Sequence, residues 1–169
     1  MQILDTARLT LRELSVADAA FILRLLNEPS FMRFIGDRGV RTTADASNYL
    51  LQGPLDSYHR FGFGLYLVEL KEEKAPIGIC GLVKRAALHD VDLGFAFLPE
   101  FWSQGYAFEA ASAVMTYGRD VVKLRRMVAI VTAENERSMR LLDKLDFRFE
   151  QMIAWPEDGS ELKLYAADL

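Results

Sequence analysis

One cysteine, Cys80, and two histidines, His59 and His89, are all that the 169 residues offer to thiol or soft-metal chemistry. A lone thiol excludes an internal disulfide, and its apolar setting between Pro76 and Val83 reads as core rather than as a reactive nucleophile. Spacings such as C-x-x-C or H-E-x-x-H do not occur, so no structural or catalytic zinc is expected. A basic excess is missing too. The formal net charge is −4 and the sequence pI is near 5.3, which disfavours a general nucleic-acid binder. No run of about 18 apolar residues is present, and the opening Met1-Gln2-Ile3-Leu4-Asp5-Thr6 lacks the basic-then-apolar layout of a signal peptide. Membrane insertion and secretion are not expected, and a reducing cytoplasm fits. What is present is ordinary for a globule: 51% hydrophobic and 26% charged residues, with no repeat, low-complexity tract or linker to divide residues 1–169 into more than one domain.

Periodicity supplies an outline. Arg8 to Leu14 alternates as a strand does, and Ser15 with Asp18 forms a capping-box start for a helix striped by Phe21, Ile22, Leu25 and Leu26, with Pro29 as its stop. Phe31-Met32-Arg33-Phe34-Ile35-Gly36-Asp37 is too apolar for a solvated loop and either packs under the domain or lines a groove for a partner. Thr42 with Asp45 opens a second helix carrying Ala46, Tyr49 and Leu50, interrupted at Gly53-Pro54. Gly64 to Leu70 and Ile77 to Lys84 read as an antiparallel hairpin across the turn Lys71 to Pro76, followed by a strand from Val91 to Leu98. In that strand Val91, Leu93, Phe95 and Phe97 make a bulky face, and Asp92, Gly94 and Ala96 a bare one. The bare face either admits the following helix closely or leaves a slot for a ligand.

The stretch Phe101-Trp102-Ser103-Gln104-Gly105-Tyr106-Ala107-Phe108-Glu109-Ala110 joins that strand to a helix running from about Ser103 to Gly118. Gly105 and Ala107 keep the backbone uncluttered, so consecutive N–H groups at the helix start face outward with the helix dipole behind them, an anion cradle. Ala107, Ala111, Val114 and Met115 fall at inward spacing, with Gly118 at the C-terminus. Arg119, Lys123, Arg125 and Arg126 are either solvated charge at a helix end or partners for an anionic ligand tail. An apolar strand from Met127 to Val131 leads to a short helix from Asn135 to Leu145, which turns Ser138, Leu141, Leu142 and Leu145 to one face. A terminal hairpin pairs Phe147 to Trp155 with Glu161 to Ala167.

This order of elements, with the glycine turn between the central strand and its helix, resembles the GNAT N-acetyltransferase superfamily. Arg8-Leu9-Thr10-Leu11-Arg12, the stretch Phe101 to Ala110, and Asn135-Glu136-Arg137-Ser138 continuing to Leu145-Asp146-Phe147 are similar to the Rim-type branch, which acetylates ribosomal-protein N-termini. The resemblance covers nearly the whole chain. It implies an α+β fold, a mostly antiparallel twisted sheet of about seven strands with about four helices, splayed between the fourth and fifth strands. It also implies acetyl-CoA as co-substrate and no metal. The pyrophosphate is expected at the cradle of Ser103, Gln104, Gly105, Tyr106 and Ala107, and the pantetheine arm along the central strand from Phe95 to Leu98, with Phe97, Leu98 and Asn135 among its neighbours. Asn135 suits the N-cap of its helix equally well. Trp102 and Ala107 depart from the wider superfamily but are normal for this branch. Asp146 departs from a usual glycine, a substitution that matters if the position has positive φ.

Acyl transfer from a thioester to an amine needs a neutral amine, a polarised carbonyl and a proton for the leaving thiolate. By the resemblance Ser138 is the matched hydroxyl donor, because Leu142 stands where many members have tyrosine. The alternative is that Ser138 bonds back to its own helix. Asp92, Glu134 and His89 rank in that order as the base, and Asp92 needs burial to raise its pKa. The acceptor is expected to be a primary amine, with a peptide or protein N-terminus favoured and Met32, Arg33, Phe34 and Trp155 as groove residues. The alternatives are a small-molecule amine acetyltransferase and a non-catalytic acyl-CoA-binding or regulatory domain. Either a monomer or a homodimer through the terminal hairpin's edges is compatible with the sequence.

Overall fold

The computed structural model describes all 169 residues. Eight strands form one sheet: β1 (Gln2–Asp5), β2 (Leu9–Glu13), β3 (Leu65–Leu70), β4 (Pro76–Val83), β5 (Asp92–Phe97), β6 (Arg126–Thr132), β7 (Arg148–Ala154) and β8 (Glu161–Asp168). Their order is β1-β2-β3-β4-β5-β6-β8-β7, antiparallel at every junction except β5–β6. At that parallel junction only Asp92↔Val128 is in register, whereas β4 and β5 share six paired positions. Beyond Asp92 the two strands part, which is the expected splay. The strand that the sequence pattern does not reveal is β1, four residues held by an irregular ladder to β2.

Six helices, rather than about four, cover the sheet: α1 (Ala19–Leu26), α2 (Pro29–Phe34), α3 (Thr43–Gln52), α4 (Pro54–Phe61), α5 (Tyr106–Asp120) and α6 (Glu136–Lys144). Ser15 and Asp18 form a complete capping box ahead of α1, and Thr42 and Asp45 form another ahead of α3. Helices α1 and α3 end before Pro29 and Gly53-Pro54, as expected, and each proline also opens the next helix, α2 or α4. The first helical position has no N–H partner to lose and suits the fixed φ of proline. The apolar stretch after Pro29 therefore becomes helical, with Phe31 buried and Phe34 half-buried.

The sheet separates two cores. Leu67 and Ile79 join Ile22, Leu25, Phe31 and Leu50 on one face, while Tyr66, Val68, Leu93 and Phe97 join Ala110, Ala111 and Val114 on the other. Helix α5 thus packs on the bulky face of β5, and the room for it comes from the helix's own alanines. The bare face looks the other way. There Leu65 Cδ2 and Val83 Cγ2 cover Gly94, standing 3.1 and 3.3 Å from where a Cβ would be. Gly118 does not end α5 either. A Cβ there would meet Met127 Cε at 2.8 Å, so glycine lets α5 approach β6. Two members of the basic patch are ion-paired, Arg119 with Asp120 and Arg126 with Asp90 and Glu150, while Lys123 and Arg125 make no salt bridge. Cys80 is fully buried, and burial pushes its thiol up, away from thiolate chemistry.

Candidate active site

The N-terminus of α5 leaves its first amides free. Gly105 is its N-cap at φ 83°, and no side chain caps the helix. None of the backbone amides from Ser103 to Phe108 donates a hydrogen bond within the chain. Six consecutive donors therefore stand at the positive end of a 15-residue helix dipole. Arg8 holds this turn from the far end of the sequence. Its Nη1 donates to the Gln104 carbonyl at 3.0 Å, its guanidinium lies 4.4 Å from the Tyr106 ring centroid, and its Nε donates to Glu109 at 2.9 Å. Glu109 also accepts from the Arg8 amide and the Thr6 hydroxyl. Partial burial raises the Glu109 pKa, but these donors outweigh it and hold the carboxylate below its ordinary range. On the opposite side Arg137 donates to Ser103 Oγ at 3.0 Å and stacks 4.4 Å over Trp102.

From the cradle a cleft of about 300 Å³ runs through the splay, between α2 on one side and the start of α6 on the other. Phe95, Ala96 and Phe97 form its β5 wall, Trp102 and Ala107 its cradle end, and Glu134, Asn135, Arg137 and Ser138 its α6 wall. Val128 N–H donates to Val91 O, and Leu98 N–H to Ile77 O. Odd-numbered residues of β5 therefore aim their backbone groups toward β6, and even-numbered ones toward β4. Where the strands part, the Phe95 N–H and C=O face the cleft. The Phe97 carbonyl is taken by Trp102 Nε1 at 2.9 Å, which ties the cradle to the strand. Thr132 Oγ1, two residues before Glu134, is buried with no partner in the chain, unused hydrogen-bonding capacity beside the cleft. A chain of donors, an apolar slot and a free strand edge fits a long ligand with an anionic end.

Asn135 accepts from the Ser138 N–H at 3.2 Å and so caps α6 while lining the cleft. The Ser138 hydroxyl makes no bond to its own helix. Glu134 is 77% exposed, and Arg33 approaches it to 3.9 Å from α2 across the cleft mouth. Of the sequence-derived residues, Phe34, Phe97, Ala107, Glu134, Asn135 and Ser138 meet in the cleft. Ser103, Gln104, Gly105 and Tyr106 form the adjoining turn. The remaining residues lie elsewhere. Leu98 is buried in the core beneath α1 and α3, Met32 is off the groove wall, and Arg33 reaches only the cleft mouth, at Glu134. Asp92 is 1% exposed and bonded to Arg85 Nε at 2.6 Å. Burial pushes its pKa up and Arg85 opposes that rise. His89 is in the exposed loop before β5. Trp155 lies near Arg85, whose guanidinium is 5.8 Å from its ring. Arg137 is visible in the sequence only as the third residue of a motif, and the Arg8–Glu109 contact spans 101 residues with no local signal.

The sequence profile of the acetyltransferase (GNAT) domain matches residues 8–148. The chain belongs to this acetyltransferase family. An uncharacterized N-acetyltransferase of Bacillus subtilis, YnaD, is 30% identical over 147 residues, 87% of this chain and 83% of its own length. The spermidine N(1)-acetyltransferase of Escherichia coli K12 is 29% identical over 141 residues, 83% of this chain and 73% of that protein. In fold, the structure resembles RimL, the ribosomal L7/L12 alpha-N-protein acetyltransferase solved with coenzyme A, at a TM-score of 0.85 over 100% of this chain and 98% of that one, with 17% identity. GNAT acetyltransferases use acetyl-CoA. No helix here is long and apolar enough to cross a membrane.

Proposed function

We propose that this GNAT domain is an N-acetyltransferase that moves an acetyl group from acetyl-CoA to a primary amine. The carrying observation is the run of six partnerless amides from Ser103 to Phe108, opening onto a cleft whose far wall bears Ser138 and Asn135. A diphosphate needs several donors in one tight arc, and a glycine-started helix supplies them more compactly than side chains do. Arg8 keeps the turn in place, and Arg137, held by Trp102 and Ser103, adds positive charge beside it.

When bound, acetyl-CoA supplies the reactive thioester. The Phe95 N–H faces the cleft, where it polarises the acetyl carbonyl. Glu134, exposed at the mouth, takes the ammonium proton directly or through water. The neutral amine nitrogen then bonds to the acetyl carbon as the carbon–sulfur bond breaks. Ser138 donates a hydrogen bond to the leaving thiolate, and the second proton, shed by the nitrogen as it becomes an amide, reaches that sulfur through the hydroxyl or solvent. Asp92 is not assigned the base role that its strand position suggested, because its carboxylate is enclosed and already bonded to Arg85.

RimL acts on a protein N-terminus by its name, and the E. coli relative on spermidine. Both are primary-amine chemistry, and both belong in the test. Calorimetric titration with coenzyme A and thiol release from acetyl-CoA across peptides, amino acids and polyamines are the measurements. Saturable binding with amine-dependent thiol release is expected. Tight binding without release for any amine would instead indicate a non-catalytic acyl-CoA-binding domain, and no binding would remove the cradle assignment.

A further inference from the structure

At the closed end of the splay lies a second group of polar side chains, outside the cleft. Arg85 follows β4 in a loop that is firmly held: Lys84 Nζ donates to the carbonyls of Leu88 and His89 at 3.0 and 3.1 Å, the Leu88 amide donates to Arg85 O at 3.2 Å, and Leu88 is buried against Val128 and Leu164. The side chain is fixed as well, because Nε donates to the buried Asp92 carboxylate at 2.6 Å. That bond uses one of five guanidinium N–H groups. Neither terminal nitrogen of Arg85 has a partner in the chain, although the side chain is only 30% exposed.

The surroundings of this fork are donors and apolar surface. The Trp155 ring centroid is 5.8 Å from Arg85 Cζ, and its indole N–H is unpaired. Tyr49, from α3, has no hydrogen-bond partner for its hydroxyl. Burial pushes that phenol up, and the positive charges of Arg38 and Arg85 oppose the rise. Ile130, Ile153 and Ala166 pack beside Trp155 as an apolar wall. Two nearby carboxylates are already engaged, Asp92 by Arg85 and Asp90 by Arg126, while Glu157, on the turn beyond Trp155, and Glu161, which opens β8, stand exposed. A guanidinium whose two terminal nitrogens are presented together matches a planar carboxylate in a bidentate pair and disfavours a cationic group in the same place.

The location gives this chemistry a use. Asp92 precedes Phe95 by three residues, about 10 Å along a strand. The carboxylate that anchors the fork is therefore about one small acceptor's length along the strand from the backbone group assigned to the acetyl carbonyl. Resting on the transferase reading above, we infer that Arg85 binds a carboxylate of the acceptor, so that the amine acetylated belongs to an amino acid or a short peptide rather than to a polyamine. Arg85 acts here as a specificity-determining residue, and Asp92 as the residue that positions it.

The test compares kcat/KM for amino acids and dipeptides bearing a free C-terminal carboxylate, the same compounds as C-terminal amides, dipeptide amides with an aspartate side chain, and spermidine. The aspartate compounds distinguish a side-chain carboxylate from an α-carboxylate. Wild-type protein is expected to favour carboxylate over amide by about tenfold or more. Arg85→Lys keeps a charge beside Asp92 but loses the fork, and the pair Arg85→Gln with Asp92→Asn removes both charges without stranding one in the interior. Both variants should cut the carboxylate preference to within about threefold, with KM for acetyl-CoA unchanged. Equal turnover of acids and amides by the wild type, or a preference for spermidine, would overturn this inference and leave the transferase reading standing. Coenzyme A binding with no amine acetylated at all would sink both.

Discussion

Replacing Gly105 by valine strikes the cradle at the residue that is both the N-cap of α5 and in the left-handed region, at φ 83°. A left-handed backbone costs an ordinary residue about 1–2 kcal/mol, and a β-branched one more. Space is the lesser problem. The new Cβ would stand 3.2 Å from Arg8 Nη2, the flexible end of a side chain that moves by a few tenths of an ångström. Two responses are open to the chain. It keeps the strained φ and loses stability, or it rotates to negative φ and re-aims the amides around Gly105. The body of α5 resists following, because the Arg8–Glu109 pair and the core contacts of Ala110, Ala111 and Val114 fix it. The distortion therefore concentrates in the donors. A hydrogen bond to a charged group is worth about 1.5–3 kcal/mol, so misaligning one of them weakens coenzyme A binding about tenfold to a hundredfold. Gly105→Asn carries the same Cβ but tolerates positive φ, and should bind within a few-fold of wild type, about 1 kcal/mol. Calorimetric Kd for coenzyme A, with thermal unfolding as the control for folding, separates the cases. A folded Gly105→Val protein with wild-type Kd would refute the cradle. An Asn variant as weak as the Val one would show that crowding against Arg8, not φ, is responsible.

Ser138→Ala should lower kcat while leaving the Kd for coenzyme A near wild type, because the hydroxyl is assigned to the leaving sulfur and not to the phosphates; unchanged turnover would remove that role. Burial raises the Asp18 pKa, but bonds from Arg12 and the Ser15 amide outweigh it and hold the carboxylate below its ordinary range. A depressed folded pKa gives stability that is present above the unfolded value and lost as pH falls through the folded one. Thermal stability should thus decline as pH drops below about 4, and Asp18→Asn should flatten that decline while lowering stability at neutral pH. An unchanged acid slope in Asp18→Asn would show that other carboxylates dominate. Asp146 has φ 65° just after α6, where the Phe147 amide donates to Leu142 O and its own amide to Asp143 O. Glycine fits that left-handed closure without a Cβ, so Asp146→Gly should stabilise the fold by up to about 1 kcal/mol and Asp146→Ala should destabilise it, read from denaturant midpoints.

Local rules carry far into this chain where a few neighbouring residues decide the outcome. The capping boxes at Ser15 and Thr42, the Asn135 cap and the positive φ at Gly105 and Asp146 all depend on side chains or backbone within three or four positions. Pro29 and Pro54 mark the ends of α1 and α3 but conceal the helices they open, because proline is equally at home ending one helix and opening the next. The bare face of β5 is partly legible. Helix α5 does not come close to it, since Leu65 and Val83 cover Gly94, but Ala96 does border the cleft. Strand β1 is too short to carry a pattern. Arg8 with Glu109, Trp102 with the Phe97 carbonyl, and Arg137 over Trp102 are pairings that no local sequence signature announces.

Asp92 shows how little a strand position says about chemistry until its partner is known. As an acid on the central strand it has the right residue type for a base, and burial moves its pKa in the useful direction. Burial also removes the access that proton transfer to an incoming ammonium requires, and Arg85 occupies its Oδ2. Taking Arg85 away would not free a base. It would strand a carboxylate in the interior at a cost of about 3–5 kcal/mol, or leave it protonated and unable to accept. The pair is best understood as one unit, with the carboxylate inside fixing the guanidinium outside. In the proposed chemistry the proton then leaves through exposed Glu134, at the opposite end of the splay from the fork that selects the acceptor. Recognition and proton transfer are thereby given to different carboxylates, one buried and one solvated, and each keeps the environment its task needs.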